Sequence, residues 1–200
     1  VGNSFTVGYG SMVVSDDNIV LSTPNPQTYN VSGRQITIAD GSSGGLLSVN
    51  SNLTQTAAAI KEALESYSLS LCSSSQNNVA PFTSPGGILN LEVTEKDTNG
   101  VAVFHIPSSD IFGNILVTSI EIANTVNAQT VIINVQGSNA EWLGGGMAGT
   151  WLESTSGRAR TIWNFCEASS IDLQDKNFMG VLLAPFAVVT TEPGTNGTAT

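Results

Sequence analysis

The sequence contains few charged residues, and basic residues are especially scarce. Only 11% of its 200 residues are charged, with six Lys and Arg against 16 Asp and Glu, so the formal net charge is −10. Globular domains usually carry roughly 25% charged residues. Because nucleic acids and anionic lipids attract clustered basic side chains, we expect no nucleic-acid partner and no membrane insertion within this sequence.

Long hydrophobic runs are also missing. No apolar stretch approaches the roughly 18 residues of a membrane-spanning helix. The chain does not open with the basic and apolar regions of a signal peptide, so we expect any such peptide to have been removed or omitted. Ser, Thr and Asn instead account for 62 residues. A surface of hydroxyl and amide groups is typical of extracellular β proteins, which predicts a secreted or cell-surface location.

Residues that usually carry catalysis or bind metals are rare. His105 is the single histidine, and no second histidine or paired cysteines lie at metal-ligand spacing. Carboxylates could in principle flank a glycosidic bond, and the candidates are Glu121, Glu141, Glu153, Glu167 and Asp172. We expect no metal, no cofactor and no enzymatic activity, with His105 as a structural or surface residue.

Two cysteines and three glycosylation sequons remain as candidate modification sites. Cys72 and Cys166 are too far apart for a CxxC motif, so they form either one long-range disulfide or two buried thiols. A disulfide closing such a loop stabilises a protein by about 4–5 kcal/mol in the chain-entropy model. The sequons place candidate glycosylation sites at Asn30, Asn52 and Asn196, as in a glycoprotein.

The pattern of apolar residues predicts a single domain over residues 1–200. Residues 1–50 read as a divergent β segment of short strands, in which residues 23–29 form an irregular loop because they contain two prolines. An apolar stripe predicts a helix over residues 53–71, packed along a sheet face. Residues 87–190 form a β core, and residues 191–200 are a linker or an exchanged strand.

Continuous apolar runs in this β core indicate strands that are covered on both faces. The clearest are Val131-Ile132-Ile133 and Val181-Leu182-Leu183, and Pro185 should lie at a strand end or corner. The sequence therefore predicts a mainly β fold. A β-solenoid with one long α-helix packed alongside is favoured, and a β-sandwich or jelly roll plus one helix is the alternative.

Four segments resemble a known family. Residues 161–168 (TIWNFCEA) and 180–187 (GVLLAPFA) are similar to the L-W-N-F-P-E-A and G-x-x-L-A-P-x-A motifs of the choice-of-anchor A domain. Upstream, residues 102–106 (AVFHI) and 131–137 (VIINVQG) are similar to its V-F-x-I and V-I-N-V-x-G segments, although Cys166 replaces the usual proline. The resemblance implies a secreted or surface-attached adhesive domain, with a fold similar to that of ice-binding β-solenoid domains.

One segment combines aromatic and basic residues. Trp142 and Trp151 flank the glycine-rich residues 144–149, and Arg158 and Arg160 follow closely. Exposed indole rings offer a large contact area at low entropic cost, so we predict these four residues as a binding site for a sugar or protein. The alternative is that the tryptophans cover the core.

These observations favour a non-enzymatic extracellular module for adhesion or for structural assembly of a surface protein or filament. The alternative is a carbohydrate- or ice-binding protein. The expected partner is either the protein itself, in a head-to-tail or strand-exchange assembly, or a surface or matrix polymer. For strand exchange, residues 2–14 and 193–200 would be the donors.

Overall fold

The computed structural model of the chain describes residues 53–79, 82–83, 86–174 and 176–191. Before residue 53 it describes six strands, at residues 4–7, 12–14, 19–24, 27–31, 34–38 and 47–49. The chain divides into two compact units, Val1–Glu62 and Ala63–Thr200. The predicted linker or exchanged strand at 191–200 lies outside the described residues except for Thr191. The single-domain boundaries remain a prediction.

The N-terminal unit contains two small sheets. Its strands are β1 (Ser4–Val7), β2 (Met12–Val14), β3 (Ile19–Pro24), β4 (Gln27–Val31), β5 (Arg34–Ile38) and β6 (Leu47–Val49). One sheet has the order β1-β5-β4-β3 and the other pairs β2 with β6. The irregular loop predicted for residues 23–29 is wrong, because β3 and β4 form an antiparallel hairpin in which Pro24 pairs with Gln27. A proline is tolerated there because it ends a strand.

Helix α1 (Leu53–Cys72) begins where the apolar stripe predicts, but it does not pack along a sheet face. On the stripe, Ile60, Leu64 and Tyr67 are 56%, 44% and 48% exposed, while Leu71 is buried. The only other buried residue of the helix is Ser68. Within the C-terminal unit, the helix is therefore held at its last turns rather than along its length.

The C-terminal unit is built from three sheets. Its strands are β7 (Phe82–Thr83), β8 (Ile88–Glu92), β9 (Val101–Pro107), β10 (Ser119–Ala123), β11 (Thr130–Gln136), β12 (Asn139–Glu141), β13 (Gly146–Met147), β14 (Thr161–Asn164), β15 (Ser170–Asp172), β16 (Val181–Leu183) and β17 (Val188–Thr190). Short helices α2 (Ser108–Ile111), α3 (Thr150–Glu153) and α4 (Thr155–Ala159) interrupt them. No helix among the described residues combines the length and apolarity that a membrane span requires.

The strands of this unit pair in parallel, except for the β7–β8 pair. We call β13-β10-β8-β7 the first sheet, β16-β14-β11-β9 the central sheet and β12-β15-β17 the third sheet. Most strands that pair in parallel begin 29 to 31 residues apart in the sequence. Examples are the register pairs Val101 with Thr130 and Asn139 with Ser170. Such long connections are what parallel pairing requires.

The sheets enclose an apolar core. Inward-facing residues such as Leu91, Phe104, Ile120 and Ile133 are fully buried. Aromatic rings fill its wider part, where Phe112 lies 5.3 Å from Trp142, 5.8 Å from Trp163 and 5.7 Å from Phe165 between ring centroids. Edge-on ring pairs at this separation contribute beyond their buried area.

A second apolar cluster covers the outer face of the central sheet. It consists of Leu71 from α1 with Val103, Ile132 and Leu183 from the strands. The sheet is therefore covered on both faces where Val131, Ile132 and Ile133 lie, as their continuous apolar run predicts. Pro185 lies in the turn between β16 and β17, so its prediction at a corner is confirmed.

The fold is α/β with parallel-strand sheets, which corrects the predicted mainly β class. The predicted β-solenoid with a long helix alongside is wrong, because three separate sheets of unequal strands are interrupted by helices and do not close into a solenoid. The jelly-roll or sandwich alternative is wrong as well, since it requires mainly antiparallel pairing. Apolar runs indicated burial on both faces, but they did not encode how the sheets connect.

Candidate functional site

His105 is half-buried and lies in a row of polar side chains on the central sheet with Asn134 and Asn164, which are both fully buried. The parallel register aligns it with Asn134 on β11, which in turn aligns with Asn164 on β14. The Asn164 amide nitrogen donates to Asn134 Oδ1 at 2.8 Å, and Asn134 Nδ2 lies 3.2 Å from His105 Nε2. We call these three residues the polar ladder.

The polar ladder binds the end of α1. Asn164 donates to the Ser68 carbonyl at 2.9 Å and accepts from the Ser68 hydroxyl at 2.6 Å. Asn134 donates to the Leu71 carbonyl at 2.8 Å, and His105 Nε2 lies 2.9 Å from the Ser74 carbonyl. Of these three carbonyls, that of Leu71 is among the last four of the helix, which lack partners within the helix. The ladder therefore satisfies this helix end and fixes it on the sheet.

These contacts give His105 a structural role. The ring nitrogen Nε2 faces a carbonyl and an amide, whereas a catalytic base must face the hydroxyl or thiol that it activates. In the part of the chain that the structure describes, no group of three His, Cys, Asp or Glu side chains could hold a metal ion. The contacts of Nε2 therefore support a role of His105 in anchoring the end of the helix.

A disulfide reinforces the same junction. Cys72, the last residue of α1, is bonded to Cys166, which follows β14. The bond closes a segment with a sequence separation of 94. Of the two possibilities that the sequence leaves open, the structure has the disulfide.

The predicted aromatic-basic site is not assembled as an exposed surface. Trp142 is only 1% exposed, and its indole nitrogen donates to the Gly145 carbonyl at 2.6 Å. Trp151 is half-buried and donates to Thr161 Oγ1 at 2.8 Å, while the Arg160 guanidinium lies 4.7 Å from its ring centroid. Arg160 also donates to the Ala128 carbonyl at 3.1 Å.

The expectation that these residues form a binding platform is therefore wrong for Trp142, because burial removes its ring from any ligand. Trp151 and Arg160 bind each other and neighbouring groups. Arg158 is half-buried near the end of α4. The alternative interpretation, in which the tryptophans cover the core, agrees with these positions.

None of the three predicted glycosylation sites is among the described side chains. Asn30 lies in β4, whose backbone alone is described, and Asn52 and Asn196 lie outside the described residues. Glycosylation at these positions stays a prediction.

Glu167, one of the candidate carboxylates, has a described partner, since its carboxylate accepts from the Gly137 backbone amide at 3.0 Å.

An ordered array of mainly polar side chains lies on the outer face of the third sheet. Two rows cross its strands in register. One row runs Asn139, Ser170, Val188, and the other runs Glu141, Asp172, Thr190. The residues between the rows point to the other side of the sheet; Ala140 and Ile171 are buried there, whereas Val189 on the last strand is 40% exposed. We call the six residues of the two rows the outer face.

Regular strand geometry sets the spacing of the outer face. Neighbouring strands lie about 4.8 Å apart, and alternate residues along a strand lie about 6.6 Å apart. The face lines an open groove of about 480 Å³. An extended ligand surface can therefore meet hydroxyl, amide and carboxylate groups at regular intervals.

Internal hydrogen bonds hold these side chains in place. Ser170 Oγ donates to Asn139 Oδ1 at 2.9 Å, and Thr190 Oγ1 donates to the Ile171 carbonyl at 3.3 Å. Gln174 donates from its backbone to Asp172 at 2.9 Å and from its side chain to Glu141 at 3.3 Å. Because the groups are already ordered, a ligand pays less conformational entropy on binding.

Sequence reasoning missed the outer face. Each contributing strand is only three residues long, so its polar-apolar-polar alternation is too short to stand out. The available signal was the recurrence of Asn-Ala-Glu and Ser-Ile-Asp 31 residues apart, at positions that pair in register. A search for a period of about 30 residues, as for other repeated structures, would have aligned them.

Residues 1–199 match the family described as "Putative Ice-binding-like adhesive domain". No curated protein and no solved structure matches the chain. The choice-of-anchor A family, which the four sequence motifs resemble, is not the family that matches, so that finer assignment is not confirmed. The chain belongs to the ice-binding-like adhesive domain family.

Proposed function

We propose that the chain is a non-enzymatic adhesion module of an extracellular surface protein, and that its outer face contacts a surface or matrix polymer. The family description names an adhesive domain. The observation that carries the proposal is the exposed, in-register double row on the third sheet. Among its residues, Asn139, Glu141 and Ser170 are exposed.

The chemistry of the outer face suits a hydrated polymer. Its hydroxyl and amide groups donate and accept hydrogen bonds, and its two carboxylates only accept. A polymer of sugars presents many hydroxyl groups that can pair with both kinds of side chain. Repeated weak contacts along a polymer add up, because each further contact becomes intramolecular once the first is made.

An extracellular location fits this role. The Cys72–Cys166 disulfide is expected in an oxidising compartment. The scarcity of charge and the abundance of Ser, Thr and Asn give a surface typical of extracellular β proteins. Attachment to a filament and use of the sequons belong to the same proposal.

Retention on insoluble cellulose, chitin and agarose tests the proposal. The full chain should be retained on at least one of the three. Ser170→Lys places a long charged side chain in the centre of the outer face and should reduce retention at least tenfold. Thr98→Lys is the matched control, because it adds the same charge at an exposed turn before β9. Equal retention of both variants, or no retention of the full chain, contradicts the proposal.

A second candidate function is binding to ice, which the regular spacing of the two rows favours. A rigid array of hydroxyl and amide groups can order water at fixed positions. Thermal hysteresis measured on the full chain and on the two lysine variants tests it. Hysteresis that Ser170→Lys abolishes and Thr98→Lys preserves supports ice binding, and no hysteresis in the full chain excludes it.

A further inference from the structure

The two ends of the parallel sheets in the C-terminal unit differ in how their edge strands are covered. At the first end, the backbone of β9 is bonded to the segment after α1. The Val103 amide donates to Asn77 Oδ1 at 2.7 Å, and its carbonyl accepts from Asn78 at 3.2 Å. The Val101 carbonyl accepts from Asn77 Nδ2 at 3.0 Å.

The neighbouring strands at this end are occupied as well. β8 is paired with β7, and the Asn139 carbonyl of β12 accepts from Ser108 Oγ at 2.9 Å. Since an unpaired strand edge is a template for another chain, occupation of these groups removes the template. At these positions the edges of β8, β9 and β12 are therefore not free to pair with another chain.

At the opposite end, β16 and β17 are the last strands of the central and third sheets. The Val188 amide donates to the Ser169 carbonyl, and the Thr190 carbonyl accepts from Leu173, both at 2.9 Å. Backbone groups of successive residues in a strand point to opposite sides. The amide and carbonyl of Val189 therefore point away from β15, where no strand among the described residues pairs with β17.

The side chains at this end are apolar and carry no charge. Residues 181–190 contain no Asp, Glu, Lys or Arg, although the whole chain has a net charge of −10. Phe186, Val188 and Val189 are 41%, 67% and 40% exposed. We call residues 181–190 the open end.

We propose that the open end pairs with the open end of a second copy of this chain, giving a two-fold symmetric dimer. β17 lies antiparallel to β17 of the second copy with Val189 opposite its counterpart. Two residues that face each other in this way exchange both of their backbone hydrogen bonds. Phe186 and the neighbouring turn add apolar contact.

The same observations argue against the head-to-tail assembly that the sequence suggested. A head-to-tail contact needs a free edge at the first end, and Asn77 and Asn78 already occupy the edge of β9 there. An isologous contact uses the open end twice and closes at two copies. Because the open end is uncharged, it brings no like charges into contact.

The dimer has a consequence for the proposed function. The proposal of a dimer does not itself depend on that function. Pairing of the two β17 strands joins the two third sheets into one of six strands. The two outer faces then lie side by side on one surface. A polymer can contact both, so that retention on a polymer rises through avidity.

Sedimentation velocity of the full chain over a concentration series tests the proposal. We expect a concentration-dependent monomer–dimer equilibrium that high salt strengthens, because screening reduces repulsion between two acidic copies. Val189→Pro removes the outward-pointing amide without removing a bond to β15, and it should weaken dimerisation at least tenfold. Val126→Lys is the control, since Val126 is 74% exposed in the turn before β11, and should leave dimerisation unchanged.

A second variant keeps the test decisive if Val189→Pro does not fold. Phe186→Lys places a charge at the open end and should also weaken the dimer at least tenfold. A monomer at every concentration overturns the proposal, as does growth beyond two copies or a dimer that neither variant affects. Dimerisation seen only after removal of residues 192–200 overturns it too, because the chain itself then covers the open end.

Discussion

Replacement of Asn164 by alanine tests whether the polar ladder fixes α1 on the central sheet. The Asn164 side chain is completely buried. It donates to the Ser68 carbonyl and to Asn134, and it accepts from the Ser68 hydroxyl. Alanine removes these three hydrogen bonds and leaves the three partner groups in a site that is closed to solvent.

The expected loss is large relative to the stability of a domain. An unsatisfied buried polar group costs about 1–3 kcal/mol, and shared relaxation makes the three costs less than additive. We therefore expect Asn164→Ala to lower the free energy of unfolding by about 3–5 kcal/mol. The total free energy of unfolding of a domain is about 5–15 kcal/mol. Asn90→Ala is the matched control, because Asn90 makes one long bond of 3.4 Å to the Ile88 carbonyl.

Urea denaturation with the disulfide intact measures both variants. The control should lose less than about 1 kcal/mol. A double-mutant cycle with Ser68→Ala should give a coupling energy of about 1–2 kcal/mol between Ser68 and Asn164, as expected for residues in one hydrogen-bond network. A loss below about 1 kcal/mol for Asn164→Ala, or no coupling, would refute the role of the ladder.

Two further predictions concern the disulfide and the glycine-rich segment. Replacing Cys72 and Cys166 together by serine should lower the unfolding free energy by about 4–5 kcal/mol, the chain-entropy estimate for a loop of this length; an unchanged urea midpoint contradicts it. Gly145→Ala would place a Cβ atom 1.8 Å from the Thr118 carbonyl oxygen, whereas a Cβ at Gly146 meets nothing within 4 Å. Calorimetry should therefore find that Gly145→Ala lowers the unfolding free energy by about 3 kcal/mol or more, whereas Gly146→Ala changes it by less than about 0.5 kcal/mol. Equal melting temperatures of the two variants would contradict the close packing at Gly145.

Local patterns predicted strands at residues 131–133 and 181–183, and both runs lie in strands of the C-terminal unit. The run Val131-Ile132-Ile133 indicated a strand covered on both faces, and the structure covers it with the core on one side and Leu71 on the other. The fold class was wrong because the pattern of buried residues in a strand does not specify the pairing between strands. Parallel pairing depends on contacts between residues about 30 positions apart.

The apolar stripe on α1 illustrates a different limit. Its period correctly indicated a helix, and it also predicted burial along the whole helix. The structure buries Leu71 but leaves Ile60 and Leu64 exposed. The residues that hold the helix are instead polar: Asn134 and Asn164 lie on strands far away in sequence and become neighbours only through parallel register.

The candidate site depended on the same kind of register. The sequence predicts Trp142 and Trp151 as ligand contacts because exposed indole rings offer a large contact area at low entropic cost. Trp142 instead fills the core beside Phe112 and Phe178. The outer face contains no aromatic residue, so a search for aromatic platforms could not find it.

Hydroxyl-radical footprinting of the full chain, free and bound to the polymer that retains it, tests the central claim most directly. We expect binding to protect the side chains of the outer face, while exposed Val126 and Ile115 keep their reactivity. Protection confined to residues 142–160, with the outer face as reactive in the bound protein as in the free protein, would contradict the account.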